Sequence, residues 1–373
     1  MDPLTGGWTT SPLAGDSLRV RVEEPSAAAG VRRRITVLAE RLGFGGERLG
    51  QVQLAATEAA TNLAAHAREG EMLLRIVRDG GGPALEFVCV DRGPGIADVP
   101  VSRTDGYSTG GTLGLGLGSI ERLADRSGLY SRPRVGTVLY ARFRPPGSPS
   151  APGPPMAGLA VPIDGEDECG DAYTAWETGD TADGRTVYAM LCDGLGHGPL
   201  AARAAWAAIG AAHETPSPSR PADVLRHAHR RMAATRGGAV AVAAVEPAAR
   251  RVRFAGIGNV AAWIVGPERR HGMISVPGIA GAHTERIREH AYPLPPGAVV
   301  VLHSDGLTSR WRLTDQPGLL GRDPLLIAAA LLRDAGIRHD DRSVLAVTTS
   351  AATASDVTRS DDTASDVTRF GGG

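Results

Sequence analysis

The amino-acid sequence predicts an α+β chain of two domains, an N-terminal two-layer α/β sandwich followed by a sheet-rich domain flanked by helices. Three observations lead there. Residues 17–144 read as helices and then strands, the order of a two-layer unit. Residues 159–349 read as many short strands around two central helices. Between them, PPGSPSAPGPPMAG (145–158) has the composition of a semi-extended linker.

The elements follow in order. Residues 18–22 suit a strand and 26–42 a helix; a second helix over 47–68 presents Val52, Leu54, Ala55, Ala59, Leu63 and Ala64 as one apolar face. Alternating strands are predicted over 72–77 and 85–90. A glycine-rich loop then leads to a helix over 116–125 and a strand over 137–143. In the second block, strands are predicted over 171–178, 186–192, 239–245, 252–255, 261–265, 298–303 and 343–348. Helices are expected over 199–212, 221–234 and 324–335. The tail, 350–373, carries TASDVTR twice with few apolar residues, the composition of a disordered segment.

Composition narrows the function. Of 373 residues, 42% are hydrophobic and 22% charged with a net charge of −1, which gives no general bias towards nucleic acid or membrane. No apolar run of about 20 residues occurs, and residues 1–10 lack a basic start and apolar core. Cys89, Cys169 and Cys192 show no C-x-x-C spacing, and a reduced, cytoplasmic setting is expected. All 40 basic residues are arginine, which excludes a Walker lysine, a Schiff base and the usual protein-kinase lysine. The two asparagines, Asn62 and Asn259, are expected where only a carboxamide serves.

Three motifs in the first block suit a nucleotide. Glu58 and Asn62 share a helix face, where a carboxamide oxygen can ligate Mg²⁺ and a carboxylate can polarise a hydroxyl. Asp91-Arg-Gly93-Pro-Gly95 follows an apolar strand; Asp91 can accept the adenine amino group while the glycines permit close approach. Gly110-Gly111-Thr112-Leu-Gly114-Leu-Gly116-Leu-Gly118 opens a helix whose amides can face phosphates. Each alone reads most simply as a turn or a surface helix. Together, as TEAATNLAAHA, DRGPGI and GGTLGLGLGSIERLAD with a late Gly136-Thr137, they resemble the GHKL-type ATPases, within them the anti-sigma serine kinases and RsbT-like switch kinases. The resemblance implies a Bergerat-like fold with Asn62 on Mg²⁺, Asp91 reading adenine, and Gly93, Gly95 and Thr137 in the ATP site. It further implies Gly114, Gly116 and Gly118 over the phosphates and Glu58 as the base for a substrate serine.

In the second block, Asp171, Asp193, Asp305 and the pair Asp340-Asp341 recur at strand ends or loops, where carboxylates can converge on hard cations. One Asp-Gly is ordinarily a turn. CGDAY, LCDGLGHG, FAGIGNVAAWIV, HSDGL and HDDRSVLAV together resemble the SpoIIE/RsbX branch of the PPM-type phosphatases. That resemblance implies two Mn²⁺ or Mg²⁺ ions bridged by Asp193 with the Gly194 carbonyl, Asp171 on one ion, and Asp305 and Asp340 on the other. Asp341 is the weaker ligand of its pair. Cys192 reads as a small buried strand residue rather than a redox switch. His197 reads as a loop residue near substrate and His303 as structural.

The two resemblances imply a bacterial partner-switching enzyme: a serine/threonine phosphatase acting on a phosphorylated STAS-domain anti-sigma antagonist. Its ATP module would act as a serine kinase or as a regulator. A homodimer is compatible with this, and a non-catalytic nucleotide- and partner-binding scaffold is the alternative.

Overall fold

A computed structural model describes residues 7–99, 116–149, 153–178, 184–216, 219–284, 286–337 and 339–349. The N-terminal module comprises β1 (Trp8–Thr10), β2 (Ser17–Arg21), α1 (Ala27–Arg41), α2 (Gly46–His66), β3 (Glu71–Asp79), β4 (Gly82–Val90), α3 (Gly116–Leu123), β5 (Arg126–Arg132) and β6 (Gly136–Phe143). Helical spacing puts Val31, Ile35, Leu38 and Ala39 on one face of α1, and Val52, Ala55, Ala56, Ala59, Ala60 and Leu63 on one face of α2. Both faces bury against Met72, Leu74 and Ile76 of β3 and Leu85, Phe87 and Cys89 of β4.

The C-terminal domain is a β-sandwich. Its strands are β7 (Met156–Val161), β8 (Asp171–Glu177), β9 (Val187–Gly194), β10 (Gly238–Glu246), β11 (Arg251–Ile257), β12 (Ala261–Val265), β13 (Arg270–Met273), β14 (His290–Pro293), β15 (Val299–His303) and β16 (Arg342–Thr348). Helices α4 (Pro199–Glu214) and α5 (Pro221–Arg231) cover the outer face of one sheet, and α6 (Pro324–Ala335) covers the other. Tyr173, Ala189, Leu191, Phe254, Val300, Leu302 and Leu345 lie among the side chains between the sheets. One sheet runs β13-β12-β15-β16-β7. The other is 11-stranded, in the order β14-β11-β10-β9-β8-β1-β3-β4-β6-β5 with β2 on β3.

That larger sheet joins the domains. β1 pairs antiparallel with β8, Trp8 opposite Trp176, and with the end of β3, Thr9 opposite Asp79. The sheet face of the N-terminal module turned away from α1 and α2 is also buried: Leu73, Val88, Val90, Val138 and Tyr140 pack with Leu159 of β7 and Leu325 and Leu326 of α6. Every residue of α6 except Asp334 is therefore buried.

Charged residues on this face form a ladder. Arg75, Glu86 and Arg142 stand opposite one another on β3, β4 and β6. Glu86, fully buried, accepts from Arg75 Nε at 2.8 Å and Arg142 Nε at 2.7 Å. Arg142 also donates to Asp79 at 2.7 Å, and Arg75 to the Gly158 carbonyl at 2.8 Å.

Some expectations shift. Residues 156–158, assigned to the linker, lie in β7, where Gly158 pairs with Leu345 of β16. The helix expected over 221–234 ends at Arg231 and closes in a 3₁₀ turn, Met232–Ala234. Strands β1, β5, β7, β13 and β14 were not anticipated. The tail, 350–373, lies outside the described residues.

Candidate active sites

In the N-terminal module the end of β4 meets the end of α2 and the start of β6. The Asp91 amide donates to the Thr137 carbonyl at 3.0 Å, and the Arg92 amide to the Arg68 carbonyl at 2.9 Å. The Gly93 amide in turn donates to Asp91 Oδ1 at 2.7 Å. Burial pushes the Asp91 carboxyl above its ordinary range, opposed by the amides of Gly93 and Thr137. The site thus holds a buried, fixed acceptor at a strand end.

The glycines here are required. Gly95 has φ 70° and Gly136 φ 126°, and an added Cβ would overlap the Arg132 and Asp91 carbonyl oxygens respectively. Gly93 packs on Ala67 and the His66 carbonyl at the end of α2. Gly136→Ala is expected to destabilise the module by about 1–3 kcal/mol from the backbone alone and to weaken nucleotide binding. Thermal melting and nucleotide titration check it, and an unchanged variant would show the turn to be tolerant.

The structure therefore brings Asp91, Gly93, Gly95 and Thr137 together. Ser131, which sequence reasoning missed, links them: its hydroxyl accepts from the Ile96 amide at 2.8 Å and lies 2.9 Å from Thr137 Oγ1. Glu58 and Asn62 are half-buried on α2, with Asn62 one turn before His66. Gly116 and Gly118 lie in α3, which packs on α2. Gly114 lies outside the described residues.

In the C-terminal domain, adjacent strands set Asp171 opposite Asp193. Asp171 is buried and accepts from Ser343 Oγ at 2.8 Å, while the Asp305 carboxyl is near enough to Asp193 to help raise it. Asn259 Nδ2 donates to Asp305 Oδ2 at 2.7 Å. Burial first, then neighbouring carboxylates, raise the Asp193 carboxyl; burial chiefly raises Asp171, against hydrogen bonds from Ser304 and Ser343. Asp340 is raised too, by burial and by Asp305. Carboxylates from β8, β9 and the segments after β15 and before β16 thus come together at the ends of central strands, and their crowding favours a cation. Among the described residues, no three His, Cys, Asp or Glu side chains are already set around one metal position.

Gly194 ends β9, and its amide donates to the Gly170 carbonyl at 3.1 Å. Asp341 accepts from the amides of Ile163 and Gly170, each at 2.8 Å, and so fixes the approach to Asp171. Ser304 and Ser343 were missed; their adjacency to Asp305 and to the Asp340-Asp341 pair was the available signal. His197 is exposed and pairs with Glu166 at 3.0 Å. His303 is buried and accepts from Trp263 at 3.3 Å and Trp311 at 3.2 Å, a structural arrangement. Cys192 is fully buried, and burial and then Asp193 push its thiol well up.

The fold and its two sites define a class: an ATPase-type module built onto a carboxylate-lined β-sandwich. Residues 22–143 match the histidine kinase-like ATPase domain family, and residues 183–370 match stage II sporulation protein E (SpoIIE). The chain belongs to the SpoIIE family through its C-terminal half and to the histidine kinase-like ATPase family through its N-terminal module. Asp171 lies just before the SpoIIE match. The serine/threonine-protein kinase RsbT of Bacillus subtilis is 36% identical over 104 residues, covering 28% of this chain and 78% of RsbT. Among solved structures, a bacterial stressosome chain is similar at 24% identity and TM-score 0.46, over 51% of this chain and 97% of that one. RsbX in complex with magnesium is similar at 17% and 0.42, over 52% and 94%. No helix among the described residues is long and apolar enough to cross a membrane.

Proposed function

We propose that the chain is a metal-dependent phosphoserine/phosphothreonine protein phosphatase of a bacterial partner-switching system, whose N-terminal module binds Mg-ATP. The observation that carries this is the approach of Asp171, Asp193, Asp305 and Asp340 at the strand ends on one side of the sandwich, an all-oxygen donor set suited to hard cations. Two bound ions would supply a hydroxide for in-line attack and polarise the phosphoryl oxygen. The chain's own residues do the positioning. Asp193 stands between Asp171 and Asp305, Ser343 orients Asp171, and Asn259 orients Asp305. Membership of the SpoIIE family and likeness to RsbT support a STAS-type phosphoprotein as substrate.

Phosphate release from a phosphoserine protein is expected to stop on chelation and to return with Mn²⁺ or Mg²⁺. No metal-dependent release from any phosphoprotein would favour a scaffold instead. In the N-terminal module, Asn62 is assigned to Mg²⁺, Asp91 to adenine and Glu58 to a substrate hydroxyl, an assignment supported by the kinase relative. Asn62→Ala is expected to weaken Mg-ATP binding at least about tenfold, the effect of losing one charge-assisted ligand, and to leave phosphatase chemistry in place. Unchanged affinity by calorimetry would refute that assignment.

A further inference from the structure

Helix α6 belongs to the C-terminal domain by sequence but is held at both ends by the N-terminal module. At its start, Asp323 caps the helix by accepting from the Leu325 amide at 2.8 Å. The same carboxylate accepts from Arg126 at 2.5 Å and from the Tyr140 hydroxyl at 2.8 Å, residues of β5 and β6. At its end, Arg92 donates to the Arg333 carbonyl, one of the last carbonyls of a helix that have no partner within it. Arg92 is the residue between Asp91 and Gly93, and its other guanidinium nitrogen pairs with Glu69 at 2.8 Å.

Beyond this clasp the helix end is stitched to the Asp305 loop. The Thr308 amide donates to the Ala335 carbonyl at 2.9 Å, and the Ile337 amide to the Gly306 carbonyl at 2.8 Å. Leu307 and Gly336 form an isolated antiparallel bridge. Gly306 lies so close on the Asp341 carbonyl that no Cβ would fit between them. A short series of contacts therefore runs from Asp91 through Arg92 and the end of α6 to the backbone beside Asp305. A small cavity of about 30 Å³ lies along it, lined by Asp91, Arg92, Leu332, Arg333, Gly336 and Arg342.

We infer that Arg92 is a positioning residue for the C-terminal site, carrying nucleotide occupancy at Asp91 to the Asp305 loop through the end of α6. The inference rests on the assignment of Asp91 to adenine in the preceding subsection. A ligand on Asp91 and Gly93 fixes the backbone on either side of Arg92. The guanidinium then either keeps or releases the Arg333 carbonyl, and the Gly306–Thr308 segment follows because its hydrogen bonds end on Ala335 and Ile337.

The test reads the backbone directly and needs no phosphatase activity. Hydrogen exchange of the full chain is followed with and without Mg-ATP, alongside calorimetric nucleotide affinity, for wild type, Arg92→Ala and Arg92→Met. The methionine variant keeps an apolar stem in case the alanine variant folds poorly. In wild type, Mg-ATP is expected to change exchange at Thr308 and Ile337 about fivefold or more, the low end of ordinary coupling between sites. In both variants that response should vanish while nucleotide still binds. Nucleotide binding in wild type without a response at Thr308 and Ile337 would overturn the coupling alone. A response that persists in the variants, or nucleotide affinity lost in both, would remove Arg92 from this role. No nucleotide binding in wild type would overturn the site assignment and the coupling together.

Discussion

Asp193→Ala is expected to lower metal-dependent phosphate release by about a thousandfold, equivalent to roughly 4 kcal/mol of transition-state stabilisation. Asp193 is the carboxylate near both neighbours: it stands opposite Asp171 across β8 and β9, and Asp305 is close enough to raise its carboxyl. On the proposed two-ion reading, removing it takes away the carboxylate assigned to bridge the cations. The fold should survive, because the Asp193 backbone stays in the β9–β10 ladder opposite Ala239. Nucleotide affinity should be unchanged. The check is phosphate release with Mn²⁺, beside circular dichroism and nucleotide titration. A fully active variant would sink the two-ion assignment.

The largest expected stability effect lies elsewhere, at Glu86→Ala. Glu86 is fully buried between two guanidinium groups, and its removal leaves Arg75 and Arg142 without their shared counter-charge. Breaking a buried ion network in this way costs about 3–5 kcal/mol, more than most core truncations of similar size. Burial opposes the charge of Glu86, yet Arg142 and Arg75 hold its carboxyl below the ordinary range. Its contribution is therefore complete above the usual carboxylate pKa and is lost as pH falls through the depressed value. Urea unfolding should show a large fall in midpoint for Glu86→Ala. The joint replacement Arg75→Met, Glu86→Leu and Arg142→Met should recover most of it. If the single and triple variants were equally unstable, the loss would come from packing and not from unpaired charge.

Much of this was legible before any coordinates. The helical spacing of Val52, Ala55, Ala59 and Leu63 and the apolar strands ahead of Asp91, Asp193 and Asp305 carried their elements, because local pattern and final burial agree there. What escaped were elements whose reason for existing is distant in sequence. β5 (RSGLYSR) and β14 (HAYP) are short and polar, and become strands only beside β6 and β11. β7 begins inside a Pro/Gly-rich stretch because β16, far along the chain, supplies its partner.

The covered second face of the N-terminal sheet was hidden for a related reason. Arg75, Glu86 and Arg142 read singly as the solvent side of alternating strands. Only their registration across β3, β4 and β6 shows that they neutralise one another beneath a second domain. In the sites, the motifs do not point to Ser343, which donates to Asp171, or to the backbone contacts of Asp341.

The strand at Trp8–Thr10 has a consequence for how the chain is made. Its edge partner β8 is more than 160 residues downstream: the Ser11 amide reaches the Tyr173 carbonyl, and the Tyr173 amide reaches Ser11 Oγ, at a separation of 162. During synthesis β1 is made well before β8, so its pairing with β8 must wait for the second domain. The face of the N-terminal sheet that α6 will cover must wait as well. Closing such a long loop is a late and slow event. Until then the N-terminal module offers an open strand edge and an apolar sheet face, the features that recruit chaperones or a second nascent chain. The two halves are thus joined through β1 and α6, and a gene split at the proline-rich segment would leave each fragment with an uncovered surface.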